Sequence, residues 1–302
     1  MNHRSITVII PFRNQLQWLR QAIESLQQQT FEEWVAILIN DHSETDVVTA
    51  IQAVCRHDSR LSLMHVNDHH HLAGPWLPRN VGIRAANTDL IAFLDADDLW
   101  HPHKLAVQLS AHQELNVLSV CSYVRFLNET RQIIELRQPP SAMTFQRLLR
   151  GNAIPLSTVI IDRALLMKHQ GFQAEHHEDY GLWLRLFSAN TPPTYKLIDQ
   201  PLAAYRLHQQ SVSARRYSSI FAVNRLFRQH SANNDLKRLA WVSRWLLTRV
   251  WSVMASRLKT KDFTTAQELA AFRSLISPSD EVPTVCRNTP NAPSPSHTIR
   301  GY

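Results

Sequence analysis

The chain has 302 residues, of which 44% are hydrophobic, enough to bury one large core or two modest ones. Its three cysteines, Cys55, Cys121 and Cys286, form no CxxC pair, which argues against a disulfide framework and a zinc ribbon and fits a reducing compartment. No apolar run reaches the length of a membrane span, and the first residues lead directly into a strand, so we expect a soluble or peripheral protein of the cytoplasm. The six glycines form neither a GxGxxG fingerprint nor a P-loop, which excludes both of those nucleotide-binding motifs.

The formal net charge of +7 is unevenly distributed along the chain. Residues 1–205 carry a net charge of −3, residues 206–276 carry +10, and residues 277–302 are balanced. A nearly neutral part is therefore followed by a basic module, which implies an anionic partner for that module. Charge alone does not choose between a lipid, a nucleic acid and an acidic glycan.

Signals for strands and helices alternate over the first hundred residues. The continuous β-branched and apolar run at 6–10 is typical of a strand buried on both faces. The pattern predicts further strands at 35–39, 61–66 and 90–94, with helices at 16–29, about 45–57 and 78–87. Such alternation indicates a mostly parallel sheet with right-handed crossovers, flanked by helices.

The pattern changes after about residue 116. It predicts strands at 117–126, 157–161 and 194–198, with helices at 145–150, 163–170 and 179–189. From 215 the chain reads as mostly helical, and 277–302 is rich in Pro, Ser, Thr and Asn, so we expect disorder there. These boundaries predict an α/β domain over 1–214, a basic helical extension over 215–276 and a disordered tail over 277–302.

Three carboxylates, Asp95, Asp97 and Asp98, follow the fourth predicted strand within four positions. Carboxylates this close raise one another's pKa and stay ionised together only if a cation shares them. Carboxylate oxygens suit Mg²⁺ or Mn²⁺, which are commonly bound by one or two carboxylates together with substrate phosphates. The segment therefore predicts a divalent-metal and diphosphate site. The alternative is a solvated acidic turn that caps the helix opened by Pro102.

A second polar pair, Asn40 and Asp41, follows the second predicted strand. The carboxyl ends of parallel strands meet at the same edge of a sheet, where open α/β sheets bind their ligands. Two polar clusters at one edge favour a binding site over two chance turns.

Several short motifs follow one another along the first two thirds of the chain. They read ITVIIPFRN at 6–14, NDHS at 40–43, RNVGI at 79–83, FLDADDLW at 93–100, HEDY at 177–180 and YRLH at 205–208. In their order and spacing they resemble the motifs of the family 2 glycosyltransferases. The resemblance covers about residues 5–213. It implies the GT-A fold, a Rossmann-like α/β architecture with a mostly parallel central sheet, followed here by a helical C-terminal extension.

The resemblance also implies a set of site residues. The implied metal ligands are Asp97, Asp95 and His208, holding Mn²⁺ or Mg²⁺, and Asp179 is implied as the general base, with Glu178 beside it. The implied donor-binding residues are Pro11, Phe12, Arg13, Asn14, Asn40, Asp41, Arg79, Asn80, Asp95, Ala96 and Arg206. Among these, Arg79 and Arg206 are expected at the diphosphate, because a guanidinium can donate two parallel hydrogen bonds to phosphate oxygens.

The implied reaction moves a sugar from a nucleoside diphosphate sugar, expected to be a UDP-sugar, to a hydroxyl of a glycan or a lipid-linked acceptor. The leaving diphosphate needs its charge neutralised, and the acceptor hydroxyl needs a base within hydrogen-bond reach. Attack opposite the leaving group inverts the anomeric carbon, as the family implies. Synthesis of a cell-surface polysaccharide is the expected context, and a nucleic-acid partner is not expected.

The loop after the second predicted strand departs from the family's usual pattern at two positions. His42 stands where the family usually has glycine, and Asn40 replaces one acid of a pair, keeping the hydrogen bonding but dropping a charge. Neither change removes a residue that the chemistry needs.

Two other functions remain open at this point. A sugar-phosphate nucleotidyltransferase also uses paired aspartates, but it normally carries a Gly-rich basic loop after the first strand, which residues 11–14 lack. A catalytically inactive module that binds glycan or lipid is the second alternative, and the intact acids Asp95, Asp97 and Asp179 argue against it. The run His69-His70-His71 is not expected to bind metal, because consecutive side chains point in different directions.

The basic extension interleaves Trp241, Trp245 and Trp251 with arginines. A helical wheel predicts that an apolar arc packs on the domain, while Trp245 and the arginines face outward, an arrangement suited to anionic headgroups at the inner face of a membrane. The arc consists of Leu236, Leu246, Leu247, Val250 and Met254. The alternative is that the tryptophans pack against the catalytic domain and the arginines form a solvated face.

Overall fold

A nine-stranded sheet forms the centre of the protein. The computed structural model describes residues 5–67, 74–208, 218–231, 234–256 and 272, without the side chains of 218–219 and 249–256. The strands are β1 (Ile6–Phe12), β2 (Trp34–Asn40), β3 (Leu61–His65), β4 (Leu90–Phe93), β5 (Leu99–Trp100), β6 (Val117–Leu127), β7 (Ile133–Arg137), β8 (Ile160–Asp162) and β9 (Thr194–Leu207). Their spatial order is β3-β2-β1-β4-β8-β6-β9-β5, with β7 paired to β6.

Helices connect these strands and cover both faces of the sheet. They are α1 (Leu16–Gln27), α2 (Thr45–His57), α3 (Trp76–Ala85), α4 (Lys104–Leu109), α5 (Phe145–Leu148), α6 (Arg163–Lys168), α7 (Glu178–Ser188), α8 (Ser218–His230) and α9 (Asp235–Ser256), with a 3-10 turn at Leu156–Thr158. The predicted α/β architecture is therefore confirmed, and most predicted elements lie within a few residues of the observed ones.

The first four strands form the parallel half of the sheet. β1 pairs in parallel with β2 and β4, and β2 pairs in parallel with β3, so the alternating strand and helix pattern is confirmed there. The remaining strands mix directions, since β8 runs antiparallel to both β4 and β6 while β6 and β9 are parallel. Because β1 is parallel to both β2 and β4, the carboxyl ends of these three strands lie at one edge of the sheet.

Two hydrophobic layers, one on each face of the sheet, hold the helices in place. Alternation along β1 divides its side chains, because Ile9 joins one layer while Val8 and Ile10 join the other. The first layer takes in α3, α7, α8 and α9, and the second takes in α1 and α2. Burial on both faces explains why these strands are apolar without interruption.

The predictions missed β5 and β7 and the second half of β9, which was expected to end at 198. β9 continues through Pro201, where the register with β6 shifts so that Cys121 faces Ile198 and Ser122 faces Pro201. A bulge is one of the few places where a sheet accepts proline, because proline has no N–H to donate. The proline therefore marks an irregularity inside a long strand, whereas the sequence pattern indicated a strand end.

The C-terminal helices α8 and α9 pack against the same core as α5 and α7. Phe145 lies edge-on to Trp241 with ring centroids 5.6 Å apart, and Phe227 lies edge-on to Trp241 at 5.9 Å. Trp241 and Trp245 are buried, with 8% and 3% of their surface exposed. The proposed boundary between 214 and 215 stays a prediction, but the helices beyond it share the first hydrophobic layer.

The predicted orientation of α9 is wrong. Leu247 is 70% exposed and Leu236 is 81% exposed, whereas Trp245 is buried, so the members of the expected arc whose side chains the structure describes face solvent. A tryptophan side chain buries more apolar surface in the core than a leucine does, which favours the side of α9 that carries Trp241 and Trp245. The helical wheel shows only how apolar residues repeat along the helix, and it does not say which of two apolar sides faces the core. The packing alternative for Trp241 and Trp245 is the one observed.

Some predictions lie outside the described residues. They are the histidine run at 69–71, the side chains of Val250, Trp251 and Met254, and the tail at 277–302. Among the helices that the structure describes, none combines the length and the apolar character needed to cross a bilayer.

A pair of substitutions in α9 tests its orientation. Trp245→Ala is expected to lower the free energy of unfolding by about 3–5 kcal/mol, because it opens a cavity in the first hydrophobic layer. Leu247→Ala, two positions along the same helix, should change it by no more than about 0.5 kcal/mol, because that side chain is exposed. Urea unfolding of both variants measures the difference. A larger cost for Leu247→Ala than for Trp245→Ala would contradict the described packing.

Candidate functional site

Three loops meet where β1, β2 and β4 end. The strand register pairs Phe12 with Asn40 and Ile9 with Phe93, so the loops after these strands lie side by side. Pro11 and Phe12 are buried as the last residues of β1, while Arg13 is exposed beyond them. The predicted donor-binding residues 11–14 and 40–41 therefore lie at one edge of the sheet.

Reciprocal hydrogen bonds join the loop after β1 to the loop after β2. The backbone N–H of Asn14 donates to Ser43 Oγ at 2.8 Å, and the backbone N–H of Glu44 donates to Asn14 Oδ1 at 2.9 Å. Asn14 and His42 both have φ near 58°, in the left-handed region. His42 thus takes up the conformation for which the family usually has glycine, and its Nδ1 lies 3.0 Å from Asp41 Oδ1.

Asn40 holds this second loop from inside. Its Oδ1 accepts the backbone N–H of Ser43 at 2.9 Å, and its Nδ2 lies 3.1 Å from His65 Nδ1. Asn40 is buried, whereas 30% of the Asp41 side chain is exposed. Within the pair, Asp41 is the residue open to a ligand, and Asn40 sets the shape of the loop.

The carboxylates after β4 divide into two partly exposed groups and one buried group. The side chains of Asp95 and Asp97 are 30% and 29% exposed, and Asp98 is buried. Asp98 accepts Ser157 Oγ–H at 2.5 Å and the backbone N–H of Arg206 at 3.3 Å. Burial, reinforced by the charges of Asp97 and Asp95, raises the pKa of Asp98 well above its usual range.

These carboxylates do not cap a helix, which was the alternative interpretation of the segment. The residue before α4 is His103, which makes no side-chain cap hydrogen bond. The backbone N–H of Asp98 instead donates to the carbonyl of Asp95 at 3.0 Å, forming a turn that directs Asp95 and Asp97 toward the surface. Ala96 lies within this turn and is buried.

His208, at the end of β9, completes the group around Asp97. Its Nε2 lies 2.9 Å from Asp97 Oδ2, and its ring centroid lies 4.4 Å from that of Trp18. Among the described residues, no group of three or more His, Cys, Asp or Glu side chains is arranged to hold a metal ion alone. An imidazole beside a partly exposed carboxylate nevertheless suits Mn²⁺ or Mg²⁺, since such ions take further ligands from substrate phosphates and water.

Arg206 is completely buried behind the same turn. Its Nε donates to the carbonyl of Asp97 at 2.8 Å, its Nη1 to Asn128 Oδ1 at 3.1 Å and its Nη2 to Gln21 Oε1 at 2.8 Å. Burial, with the nearby charge of Arg131, lowers the pKa of Arg206 to about 10. The geometry gives this arginine a role in supporting the turn. Its predicted contact with the diphosphate stays a prediction that this arrangement does not favour.

Arg79, on α3, joins the sheet edge to α7. Its Nη2 donates to Asp95 Oδ1 at 2.6 Å, its Nη1 donates to Glu178 Oε1, and 4% of the residue is exposed. Burial alone would lower the pKa of Arg79, but Asp95 and Glu178 outweigh it and raise that pKa. This guanidinium therefore forks onto two carboxylates of the protein, where the sequence predicted phosphate oxygens.

Asn80, next to Arg79, fixes the loop that carries Phe172. Its Nδ2 donates to the carbonyl of Phe172 at 2.7 Å, and its Oδ1 accepts the N–H of Phe172 at 2.9 Å. The ring of Phe172 lies under the guanidinium of Arg79, 5.4 Å from centroid to Cζ. Gly171 has φ of 60°, and a Cβ there would lie 2.3 Å from Asn80 Oδ1, so this close approach requires glycine. The donor contact predicted for Asn80 stays a prediction.

Asp179 lies in the first turn of α7, one residue after Glu178. Its Oδ2 accepts Asn152 Nδ2–H at 2.7 Å, and its Oδ1 accepts the N–H of Tyr180 at 2.7 Å. Burial, reinforced by the charge of Glu178 and opposed by Arg79, raises the pKa of Asp179 to about 6. A carboxylate with such a pKa accepts a proton more readily than an ordinary aspartate does.

Several residues of this arrangement were missed from the sequence. Ser157 accepts the N–H of Asp95 at 3.2 Å and donates to Asp98, Asn152 donates to Asp179, and Trp18 packs on His208. Ser157 falls in the predicted strand 157–161, so it was interpreted as part of the sheet. Asn152 follows Gly151, whose φ of 150° marks a turn, and that Gly-Asn pair is the signal that could have identified it.

Comparison with known proteins identifies the family. The model of the family described as "Glycosyl transferase family 2" matches residues 7–189. An uncharacterized glycosyltransferase of Rickettsia bellii is 33% identical over 61% of this chain, and the match spans 26% of that protein. WfgD of Escherichia coli, a UDP-Glc:alpha-D-GlcNAc-diphosphoundecaprenol beta-1,3-glucosyltransferase, is 28% identical over 73% of this chain and 84% of its own length.

Solved structures agree on the fold. The crystal structure of S. aureus TarS in complex with UDP-GlcNAc superposes with a TM-score of 0.63 at 17% identity, covering 90% of this chain and 79% of that one. The mannosyltransferase PcManGT from Pyrobaculum calidifontis, in complex with GDP-Man and Mn²⁺, has a TM-score of 0.59 at 14% identity, covering 90% and 80%. The family match decides against a sugar-phosphate nucleotidyltransferase. The chain has the GT-A fold and belongs to glycosyl transferase family 2, which makes it a glycosyltransferase.

Proposed function

We propose that the protein transfers a sugar from a UDP-sugar to a hydroxyl of a lipid-linked or glycan acceptor, with inversion at the anomeric carbon and with Mn²⁺ or Mg²⁺ as cofactor. The observation that carries the proposal is the pair of ion pairs made by Arg79. They connect Asp95, at the sheet edge where the donor loops meet, to Glu178, which adjoins the proposed base Asp179. The donor and acceptor ends of the site are thus held in one rigid arrangement.

The donor end offers ligands for a divalent ion. Asp97 and His208 would hold it, with Asp95 reaching it directly or through a bound water, because carboxylate and imidazole groups are what such an ion prefers. When bound, the ion would neutralise the negative charge of the diphosphate leaving group. PcManGT, which shares the fold, has been crystallised with Mn²⁺, and this supports a divalent cofactor here.

The protein's own residues prepare this end of the site. Arg206 holds the carbonyl of Asp97, and Ser157 holds both the backbone of Asp95 and the carboxyl group of Asp98. These buried contacts fix the turn, so the two exposed carboxylates do not have to be ordered when the donor binds. We assign Arg13 and Asp41 to the exposed surface of the nucleotide loops, where the base and ribose would bind.

At the acceptor end, Asp179 would take the proton of the attacking hydroxyl. Its Oδ2 bond to Asn152 and its Oδ1 bond to the Tyr180 N–H orient the carboxylate. The pKa of about 6 brings Asp179 closer to the operating pH than an ordinary aspartate, which strengthens it as a general base. Attack on the face opposite the diphosphate then gives inversion.

The substrate class is proposed by analogy with two proteins. WfgD is named for transfer from UDP-Glc to a diphosphoundecaprenol-linked sugar, and TarS has been crystallised with UDP-GlcNAc. Both support a UDP-sugar donor, and WfgD supports a lipid-linked acceptor in the synthesis of a polysaccharide. The net charge of +10 over 206–276 fits a location in the cytoplasm at the inner face of a membrane, where such an acceptor is anchored.

Asp97→Asn tests the proposed metal ligand. The variant should keep its fold and lose Mn²⁺-dependent cleavage of UDP-sugars by more than a factor of about ten, because an amide is a poor ligand for a hard cation. Release of UDP with and without Mn²⁺ measures this. Asp235→Asn, at a 71% exposed side chain on α9, is the matched control and should behave as wild type. If Asp97→Asn keeps more than about a tenth of the turnover, less than about 1.4 kcal/mol was lost and the assignment is wrong.

Asp179→Asn tests the proposed base. Asparagine keeps the size and most of the hydrogen bonding but cannot accept the proton, so kcat should fall by roughly 10²–10⁴-fold. In the wild type kcat/KM should rise with pH through about 6 as Asp179 ionises, and the variant's residual activity should lack that rise. UDP affinity, measured by calorimetry, should be unchanged. Loss of UDP binding would instead place Asp179 in the donor site.

The stability of the same variant provides a control against unfolding. Because the pKa of Asp179 is raised above its ordinary value, its contribution to stability is present at acidic pH and is lost as the pH rises through about 6. Asparagine avoids that loss, so the variant should unfold no more easily than wild type at neutral pH. A variant that is both inactive and much less stable at neutral pH would argue against the assignment.

A further inference from the structure

Helix α9 exposes a row of large apolar side chains. The exposed fraction is 81% for Leu236, 55% for Leu239, 36% for Leu246 and 70% for Leu247. We call these four residues the leucine face. At about 100° per residue they fall within an arc of roughly 100° on one side of the helix, with Ser243 inside the arc and Ala240 at its edge, both also exposed. This is a continuous apolar stripe on the side opposite the buried tryptophans.

Basic side chains border one edge of the leucine face, and the other edge carries Asp235, which is 71% exposed and ion-paired with Arg238. Lys237 is exposed and Arg244 is half-buried, and they lie about 100° and 80° around the helix from Leu236, next to the edge formed by Leu247. Lys237 Nζ lies 5.0 Å from the ring centroid of Trp241, which places the charged group on the flank between the apolar stripe and the buried side. A stripe of leucines beside lysine and arginine is typical of a helix that lies in the surface of a membrane.

We propose that the leucine face of α9 docks on an anionic phospholipid bilayer, with the leucines inserted at the boundary between headgroups and acyl chains and with Lys237 and Arg244 at the phosphates. The sequence predicted that Trp245 would face the membrane. In the structure Trp245 is buried, and the exposed leucines are the side chains that would contact the lipid. This docking rests on the proposed function, because it would hold the enzyme next to a lipid-linked acceptor.

Charge selects the bilayer over a second copy of the chain. An antiparallel contact between two leucine faces would bring Lys237 and Arg244 of both copies to the same side of the interface, where like charges repel each other, and the acid on the other edge, Asp235, is already ion-paired with Arg238. Anionic headgroups have the opposite charge, and each basic residue near such a surface contributes about 1 kcal/mol of attraction.

Helix α8 links this part of the protein to the acceptor end of the site. Phe221 is 81% exposed, and with Arg225 it lines a cleft shared with Glu175 and His176. Glu175 and His176 immediately precede the start of α7, where Glu178 and Asp179 lie. Helix α8 thus carries an exposed apolar and an exposed basic side chain near the end of the site that would receive the acceptor.

Flotation of the full-length protein with lipid vesicles tests the proposal. The vesicles contain phosphatidylcholine alone or phosphatidylcholine with 30% phosphatidylglycerol, on the order of cellular anionic content, at low and high salt. We expect the wild type to float with the anionic vesicles at low salt. The double variant Leu239→Ser with Leu247→Ser should show a bound fraction smaller by a factor of about five or more. Lys237→Gln with Arg244→Gln should weaken binding and flatten its salt dependence.

Matched controls lie elsewhere on the surface. Leu115→Ser removes a leucine that is 75% exposed outside α9, and Arg56→Gln with Lys168→Gln removes two exposed basic residues of α2 and α6. These variants should float as wild type does. Unfolding curves confirm that each variant is folded, which is expected because the substituted side chains are exposed or half-buried.

The outcomes are decisive in either direction. Flotation that the leucine and basic variants reduce, while the controls do not, supports the proposal. The proposal is overturned by equal, negligible binding to both vesicle types, or by binding that the leucine substitutions leave unchanged. It is also overturned if sedimentation shows a dimer that those substitutions dissociate and no vesicle binding. Because UDP release in solution measures catalysis separately, failure here and failure of the proposed transfer are distinguishable.

Discussion

The arrangement of the site depends on one buried guanidinium. Arg79 lies between Asp95 and Glu178, and without it two carboxylates would be partly or fully removed from water with no counter-ion. Removing one partner of such a buried pair is costly, because the other charge is left uncompensated. The same two ion pairs tie α3, the turn after β4 and the start of α7 together. One electrostatic requirement therefore fixes the distance between the turn after β4 and the proposed base Asp179.

The acidic turn after β4 shows how close carboxylates are made compatible. Burial and neighbouring charge raise the pKa of Asp98 well above its usual range, which favours the neutral form of that group and reduces repulsion in the turn. Asp98 is then a structural member of the turn, held by Ser157 and by the backbone of Arg206. Asp95 and Asp97 stay partly exposed, so the three-carboxylate motif leaves two groups for the proposed ligand chemistry and uses one for the fold.

Local pattern predicted the elements, and contacts distant in sequence account for what it missed. The apolar runs at 6–10, 35–39 and 90–94 identified strands of the parallel half because burial on both faces leaves a clear signal. Arg79 and Glu178 are 99 positions apart, and Arg206 and Asp97 are 109 apart, so no window of sequence shows that they meet. The structure brings these residues into contact, and their assignment to one functional site stays a prediction. What each arginine binds could be read only from the fold.

The orientation of α9 illustrates the same limit at the level of one helix. Its sequence has two apolar sides, one with Trp241 and Trp245 and one with the leucine face. The spacing of apolar residues along the helix does not show which of these sides faces the core. The fold resolves this by burying the tryptophans against Phe145 and Phe227, which fills the first hydrophobic layer with the larger side chains. The leucines are then left exposed beside Lys237 and Arg244. A helix that stabilises the catalytic core with one side can therefore offer its other side to a surface outside the protein, and the two roles need not compete for the same residues.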